Sequence, residues 1–281
     1  MRWLVTGSHG LLGTDLVARL EDAGETVTRA PREALLGQAT VDALVAGQDV
    51  VVNCAGWTDV DGAESAGLEP LVVNCHIPEL LAEATRRTDA RLVQLSTDYV
   101  FSGTAKRPYR EDARTAPKSV YGRSKLAGEN AVLAGHPTGG FVVRTAWLYG
   151  AHGPCFPRTI ARLAAERGTV EVVDDQVGQP TWTVDVADLI LRLMAADAPP
   201  GTYHATASGQ ISWFGFAQEV VTSAGLDPAT VRPTTSDRFP RPAPRAPAYS
   251  VLGHDALLLP RIDPIGDWRD RWRAAAAEIL A

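Results

Sequence analysis

The chain has 281 residues, enough to bury a full core as one large domain or as one domain with a smaller partner. A net charge of -6 without a basic cluster leaves no electrostatic footprint for nucleic acid, although local arginine-rich pockets are compatible with it. The three cysteines, Cys54, Cys75 and Cys155, are odd in number and far apart, which argues against a disulfide framework or a zinc site; with no apolar run of membrane-spanning length and no targeting signal, they predict a reduced, cytoplasmic protein without a metal.

The chain opens with Arg2-Trp3-Leu4-Val5-Thr6, a short apolar strand, then Gly7-Ser8-His9-Gly10-Leu11-Leu12-Gly13 and an amphipathic run to Ala23. In a strand, glycine turn and helix, the glycines permit a tight turn and let the backbone approach a pyrophosphate at the helix N-terminus. The spacing is GxxGxxG rather than GxGxxG, and Gly7, His9, Gly10, Leu11 and Leu12 are the residues expected against a dinucleotide. A second strand, about Glu25 to Ala30, ends in Thr28-Arg29-Ala30-Pro31-Arg32, with no acid before Glu33. An acidic residue there would hold the ribose hydroxyls of NAD, whereas arginine suits the 2′-phosphate of NADP. Arg32 or Arg29 therefore predicts a preference for NADPH over NADH.

The third strand, Asp49 to Cys54, leads into the small residues Ala55 and Gly56, which leave room for the dinucleotide. Cys54 and Cys75 read as small buried residues rather than reactive thiols. After the loop Trp57-Thr58-Asp59-Val60-Asp61, a helix is predicted from about Pro70 to Arg87, and Asn74 on it either contacts the cofactor or caps backbone groups. The strand Arg91 to Leu95 delivers Ser96-Thr97-Asp98-Tyr99 at its carboxyl end, the end that faces the ligand crevice in open α/β sheets. A hydroxyl from Thr97 or Ser96 there can bond a carbonyl oxygen on which charge develops.

Next comes Tyr121-Gly122-Arg123-Ser124-Lys125. On a helix, residues four apart share a face, so the Tyr121 hydroxyl and the Lys125 ammonium converge. A nearby cation lowers a phenol's pKa, which suits Tyr121 to general acid catalysis. A further strand, Phe141 to Thr145, runs into Ala146-Trp147-Leu148-Tyr149-Gly150. Strands alternating with helices through residue 150 predict an α/β fold with a doubly wound parallel sheet.

Beyond Gly150 the pattern loosens. His152 to Arg167 reads as loop and helix, Val170 to Val173 as a short apolar stretch, Val184 to Ala196 as an apolar helix returning to the sheet, and Trp213 to Ala224 as another helix. Arg238, Arg241 and Arg245 punctuate a proline-rich loop from Arg232 to Pro247; stiffened by the prolines, they either grip a diphosphate or belong to a solvated linker. The expected division is a dinucleotide-binding domain of residues 1-150 plus about 181-205, and a smaller C-terminal substrate-binding domain of about 151-180 and 206-281.

The ordered set GSHGLLG, NCAGWTDVDGAE, VNCHIPELLA, LSTDYVFSG, YGRSKLAGE, RTAWLYG, DDQVGQPTW, GTYHATASGQISWFGFA and RPAPRAPAYSVL covers almost the whole chain. It resembles the dTDP-4-dehydrorhamnose reductase family of nucleotide-sugar ketoreductases, within the extended short-chain dehydrogenase/reductase superfamily. The resemblance implies a Rossmann-type sheet and an oxidoreductase that uses NADPH to reduce the C4 ketone of a dTDP-linked 4-keto-6-deoxysugar, as a monomer or homodimer. By it, Tyr121 is the catalytic acid, Lys125 its partner and ribose ligand, and Thr97 the third member. It also implies substrate contacts from Thr58, Val60, Asp98, Tyr99 and Trp147, with Trp147 lying against the sugar.

Two departures and two alternatives accompany it. The second strand lacks the family's frequent acid, and Tyr99 follows Thr97-Asp98 where the resembling dehydratases place a glutamate, which disfavours water elimination. A reducing epimerase would need a cysteine and a histidine near the sugar, for which Cys155 and His152 are the candidates. A dinucleotide-binding regulatory subunit of the same superfamily is the other alternative, and the intact Thr97, Tyr121 and Lys125 favour the enzyme.

Overall fold

Short β-branched runs form the strands Arg2–Thr6 (β1), Thr26–Ala30 (β2), Val50–Asn53 (β3), Arg91–Thr97 (β4) and Gly140–Thr145 (β5), and the strand Gly201–His204 is added at one edge. This is a computed structural model, and it describes residues 1–239, 241–244 and 246–281, so Arg245 of the proline-rich loop lies outside the described residues. The strands make one parallel sheet of six, in the order Gly201–His204, β5, β4, β3, β1, β2. Sheet growth reverses between β1 and β3. In open α/β sheets the crevice beyond the carboxyl ends at such a reversal is where ligands bind.

The sheet is covered on both faces because successive side chains point opposite ways. Trp3, Val5, Val50, Val52, Phe141 and Val143 pack on one side, while Leu4, Val51 and Leu92 pack on the other. The helices are Leu11–Asp22 (α1), Gln38–Val45 (α2), Glu69–Leu71 (α3), Ile77–Thr88 (α4), Val120–Gly135 (α5), Phe156–Arg167 (α6), Thr183–Ala195 (α7), Trp213–Ser223 (α8) and Trp268–Leu280 (α9). The apolar face of α7, with Leu189, Ile190 and Leu193 fully buried, packs on α1 as expected of a helix returning to the sheet. On the opposite face α4 packs against both α2 and α5.

The structure corrects two sequence expectations and adds a helix. The helix expected over 70–87 is broken into α3, a π-helical stretch Val72–His76 and α4. The stretch from Arg232 is not loop at its start: Val231–Thr234 is a strand paired in parallel with Val170–Val173, and Pro233, which has no N–H, suits such a marginal two-stranded ladder. The C-terminal helix α9 was not foreseen. Asp267 caps it by accepting from the Arg269 N–H at 2.9 Å, and it buries Trp268, Trp272, Ala275 and Ile279 along one side.

Trp272 packs 5.4 Å from both Tyr149 and Phe216, ring centre to ring centre, inside the same apolar cluster that holds Trp3, Val5 and Leu16. The apolar core thus runs without a break from the sheet to the C-terminal helices. Among the described residues no helix is long and apolar enough to cross a membrane, and no group of three or more His, Cys, Asp or Glu is placed to hold a metal.

Candidate active site

The first wall of the site is the turn after β1. Gly7 has φ +61, and a Cβ there would sit 2.6 Å from the Ala55 nitrogen; a Cβ on Gly13 would sit 2.2 Å from the Gly7 carbonyl oxygen. The first glycine therefore permits the left-handed turn and the last lets α1 pack closely on it. Helix α1 begins at Gly10 with no side-chain cap, so its first N–H groups are available to an anion. Gly7, His9, Gly10, Leu11 and Leu12 line a cavity of about 870 Å³, within the size range of small-molecule sites. That cradle fits a dinucleotide pyrophosphate.

The cavity continues past Cys54, Ala55, Gly56 and Ser96, where the sequence placed them. Burial pushes the Cys54 thiol up to about 12, so it stays protonated. At the end of β2 the wall carries Arg32 and also Glu33. Arg29 is a correction: its guanidinium donates to Glu21 on α1 at 2.7 Å, and it is absent from the cavity wall. Asn74 is a second. It is buried behind the cavity wall, next to Gly56, where its Oδ1 accepts from the Trp57 N–H at 2.9 Å and its Nδ2 donates to the Ser124 hydroxyl at 2.9 Å. Of the two readings of Asn74, the structure supports capping.

The catalytic candidates stand on α5. Ser119 starts this helix by accepting from the Gly122 N–H at 3.0 Å, and Glu64 accepts from the Val120 N–H at 2.7 Å. Tyr121 and Lys125 follow on one face, both at the cavity. Thr97, at the carboxyl end of β4, lines the same cavity as Tyr121, donates to Asp98 Oδ1 at 3.0 Å and accepts from the Tyr99 N–H at 3.2 Å. Lys125 Nζ donates to the Leu95 carbonyl at 2.6 Å. One turn further, Glu129 is buried and takes a two-pronged grip from Arg144 at 2.9 and 2.7 Å.

The electrostatics differ from the sequence expectation. Burial pushes the Tyr121 phenol above its ordinary value; Thr97 works against that shift, and Asp98 and Tyr99 add to it. Lys125, whose ammonium donates to the Leu95 carbonyl, is not among the groups that shift the Tyr121 phenol, since a lysine lowered to about 8 is already neutral where so raised a phenol would lose its proton. A raised phenol pKa still suits a reduction: the group keeps its proton until an alkoxide, a stronger base than phenolate, forms beside it. Lys125 itself is lowered to about 8, chiefly by burial, with Glu129 opposing.

Thr58, Val60, Asp98, Tyr99 and Trp147 line the other end of the same cavity. Burial raises the Asp98 carboxyl to about 6, against hydrogen bonds from Ser250 and Thr97. Trp147 has φ 49, an uncommon conformation for a bulky residue, and stacks on Trp213 with ring centres 3.5 Å apart. A Cβ on Gly178 would fall 2.5 Å from the Trp147 ring, so that glycine makes room for the indole. Trp213 and Gln176 also line the cavity and were missed, although the motifs SGQISWFGFA and DDQVGQPTW containing them are plain in the sequence.

Arg238 and Arg241, the described arginines of the loop, stand outside the cavity wall. Arg241 is held by Asp61 at 2.9 Å, Arg238 is exposed at the end of a short 3-10 turn, and neither lines the cavity, which this segment reaches through Ala246 and Pro247. The epimerase pair is also separated: Cys155 is buried in the apolar core, and His152 Nε2 lies 3.2 Å from Asp15.

Fold and site together define an NAD(P)-dependent oxidoreductase of the extended short-chain dehydrogenase/reductase type. The chain belongs to the dTDP-4-dehydrorhamnose reductase family, and a family profile described as "RmlD substrate binding domain" matches residues 1–280. It is 50% identical over 276 residues to a dTDP-4-dehydrorhamnose reductase of Streptomyces griseus, covering 95% of this chain and 90% of that one. It is 47% identical over 286 residues to a probable dTDP-4,6-dihydroxy-2-methyloxan-3-one 4-ketoreductase of Streptomyces antibioticus, covering 100% and 96%. Among solved structures, a dTDP-4-dehydrorhamnose reductase of Bacillus anthracis in complex with NADP superimposes with a TM-score of 0.93 at 33% identity, covering 99% of each chain.

Proposed function

We propose that the chain reduces the C4 ketone of a dTDP-4-keto-6-deoxyhexose, using NADPH. NADPH, when bound, supplies the hydride. The observation that carries the reading is that Thr97, Tyr121 and Lys125 stand together at the wall of a cavity that also contains the glycine cradle. Tyr121 gives its proton to the oxygen of the reduced carbon, and Thr97, on the same cavity wall, bonds that oxygen and fixes where it sits. Lys125, anchored to Leu95 and close to Gly56, presents its ammonium to the ribose side of the cleft. Arg32 receives the 2′-phosphate.

The aromatic wall of Trp147, with Asp98, Tyr99, Thr58 and Val60, holds the sugar. In this division residues 1-150 and about 181-205 carry the cofactor, and 151-180 with 206-281 complete the sugar side. The relatives support the substrate class, since their names specify dTDP-linked 4-ketoreductases. The test is to incubate the protein and NADPH with a panel of 4-keto nucleotide sugars and identify products by NMR. Oxidation of NADPH with a dTDP-4-keto-6-deoxyhexose, and almost none with the free keto sugar, is expected, because binding energy from the nucleotide orients the reacting carbon. Tight NADPH binding with no oxidation across the panel would instead indicate the regulatory subunit.

A further inference from the structure

His152 has no part in the chemistry above, yet the structure builds a seat for it. The turn that carries it is pinned by Arg158, whose Nη2 donates to the carbonyls of Gly150 and Ala151 at 3.0 and 2.7 Å. Gly150 lies so close to α7 and α1 that a Cβ would fall 2.2 Å from the Thr183 hydroxyl and 3.3 Å from Asp15 Oδ2. Asp15, buried on α1 one turn in from its start, accepts from that hydroxyl through Oδ2 and faces His152 Nε2 at 3.2 Å through Oδ1. His152 and Gly153 line the cavity with Gly10 and Leu11, and the position of a Cβ on Gly153 is 3.6 Å from the Leu11 side chain.

A buried carboxylate one turn from the helix N-terminus opposes an anion bound there, and an imidazolium against it cancels that opposition. We propose that His152 is a further cofactor-binding residue: held by Asp15, it places a positive charge beside the pyrophosphate, with Nδ1 as the nitrogen available to the phosphate oxygens. Among the described residues, Asp15 from α1 faces His152 directly, His9 from the glycine turn lines the same cavity, and Arg158 from α6 bonds the backbone of the turn that carries it. The proposal rests on the cofactor part of the function above and not on the sugar. The positive charge requires a protonated imidazole, so its contribution to affinity is largest at low pH.

The experiment is a fluorescence titration of NADPH into the full chain without sugar, from about pH 5.5 to about pH 8, a range that spans histidine titration. It compares the unaltered protein with His152→Gln and His152→Lys. The 2′-phosphate of NADPH also titrates in this range, but it does so identically in all three proteins and cancels in the ratio of their affinities. Because the imidazole is partly exposed, the unaltered protein should bind about two- to fivefold more tightly than His152→Gln at the acid end and equally at the alkaline end. His152→Lys should keep the tight binding throughout. A ratio that is constant with pH, or no effect of His152→Gln, would overturn the proposal. No NADPH binding by the unaltered protein at any pH would overturn the proposed function along with it.

Discussion

At the scale of single residues the proposed chemistry rests on two groups whose protonation burial shifts. Tyr121 is held protonated, so Tyr121→Phe should lower turnover by about 10²- to 10⁴-fold while NADPH binding persists, because only the transferable proton is lost. Lys125, brought to about 8, is charged below that pH and neutral above it. The expected result is a kcat/KM that falls as pH rises through about 8, with the fall beginning at lower pH in Glu129→Gln, since Glu129 supports the ammonium.

The same shift has a stability consequence of definite sign. Unfolded, the lysine binds its proton up to its ordinary value of 10.5, so between about 8 and 10.5 the unfolded chain holds more protons and folding is favoured by rising pH. Below that window the buried charge is a constant penalty. Lys125→Met should therefore be inactive yet more stable at neutral pH, by roughly 2 kcal/mol once the lost bond to Leu95 is counted, as thermal melting would show. At the adenosine end, Arg32→Ala should weaken NADPH about tenfold or more and leave NADH unchanged, whereas Arg29→Ala, whose guanidinium is already engaged by Glu21, should alter neither. Equal losses in the two variants would contradict the placement of Arg29.

At the scale of elements, α5 has an unusual buried face of small and polar residues, Gly122, Ser124, Lys125, Gly128 and Glu129. Glycine inside a helix costs about 1 kcal/mol relative to alanine, so propensity alone favours Gly128→Ala. Packing gives the opposite sign, because a Cβ there would fall 2.0 Å from the Asn74 carbonyl oxygen. Gly128→Ala is expected to destabilise the fold by about 1 to 3 kcal/mol in denaturant unfolding, through displacement of the π-helical stretch. The strands and the Tyr121 to Lys125 spacing were legible in sequence because they are local periodicities. The π-helical stretch was not, since nothing in Val72 to His76 distinguishes it from ordinary helix. Arg29 and Arg32 were indistinguishable for a related reason: only the fold shows that Glu21 on α1 takes one and leaves the other at the cavity. Helix α9 escaped because its buried positions, Trp268, Trp272, Ala275 and Ile279, are separated by arginines and alanines that blur the apolar pattern.

At the scale of the whole molecule, the partner of Arg241 lies 180 residues away in the chain, beyond the reach of any local pattern. Asp61 accepts from Arg241 Nε at 2.9 Å and from the Ala243 N–H at 3.2 Å, and the Arg241 charge acts on the Tyr99 phenol. These contacts tie the proline-rich segment to two cavity walls: the loop carrying Thr58 and Val60, and the turn carrying Tyr99. The Arg241 and Asp61 side chains are 47% and 33% exposed, so their pairing contributes only about 0.2 to 1 kcal/mol to stability. Its effect should instead be local, keeping the sugar end of the cavity in shape. Asp61→Ala is therefore expected to leave the melting temperature and NADPH affinity almost unchanged while raising KM for the nucleotide sugar severalfold, and Arg241→Ala should do the same. If Arg241 were instead a diphosphate ligand restrained by Asp61, freeing it would strengthen sugar binding. A lower KM in Asp61→Ala together with a higher KM in Arg241→Ala would thus reinstate the phosphate role, so steady-state kinetics on the two variants decides between a structural tie and a binding arginine.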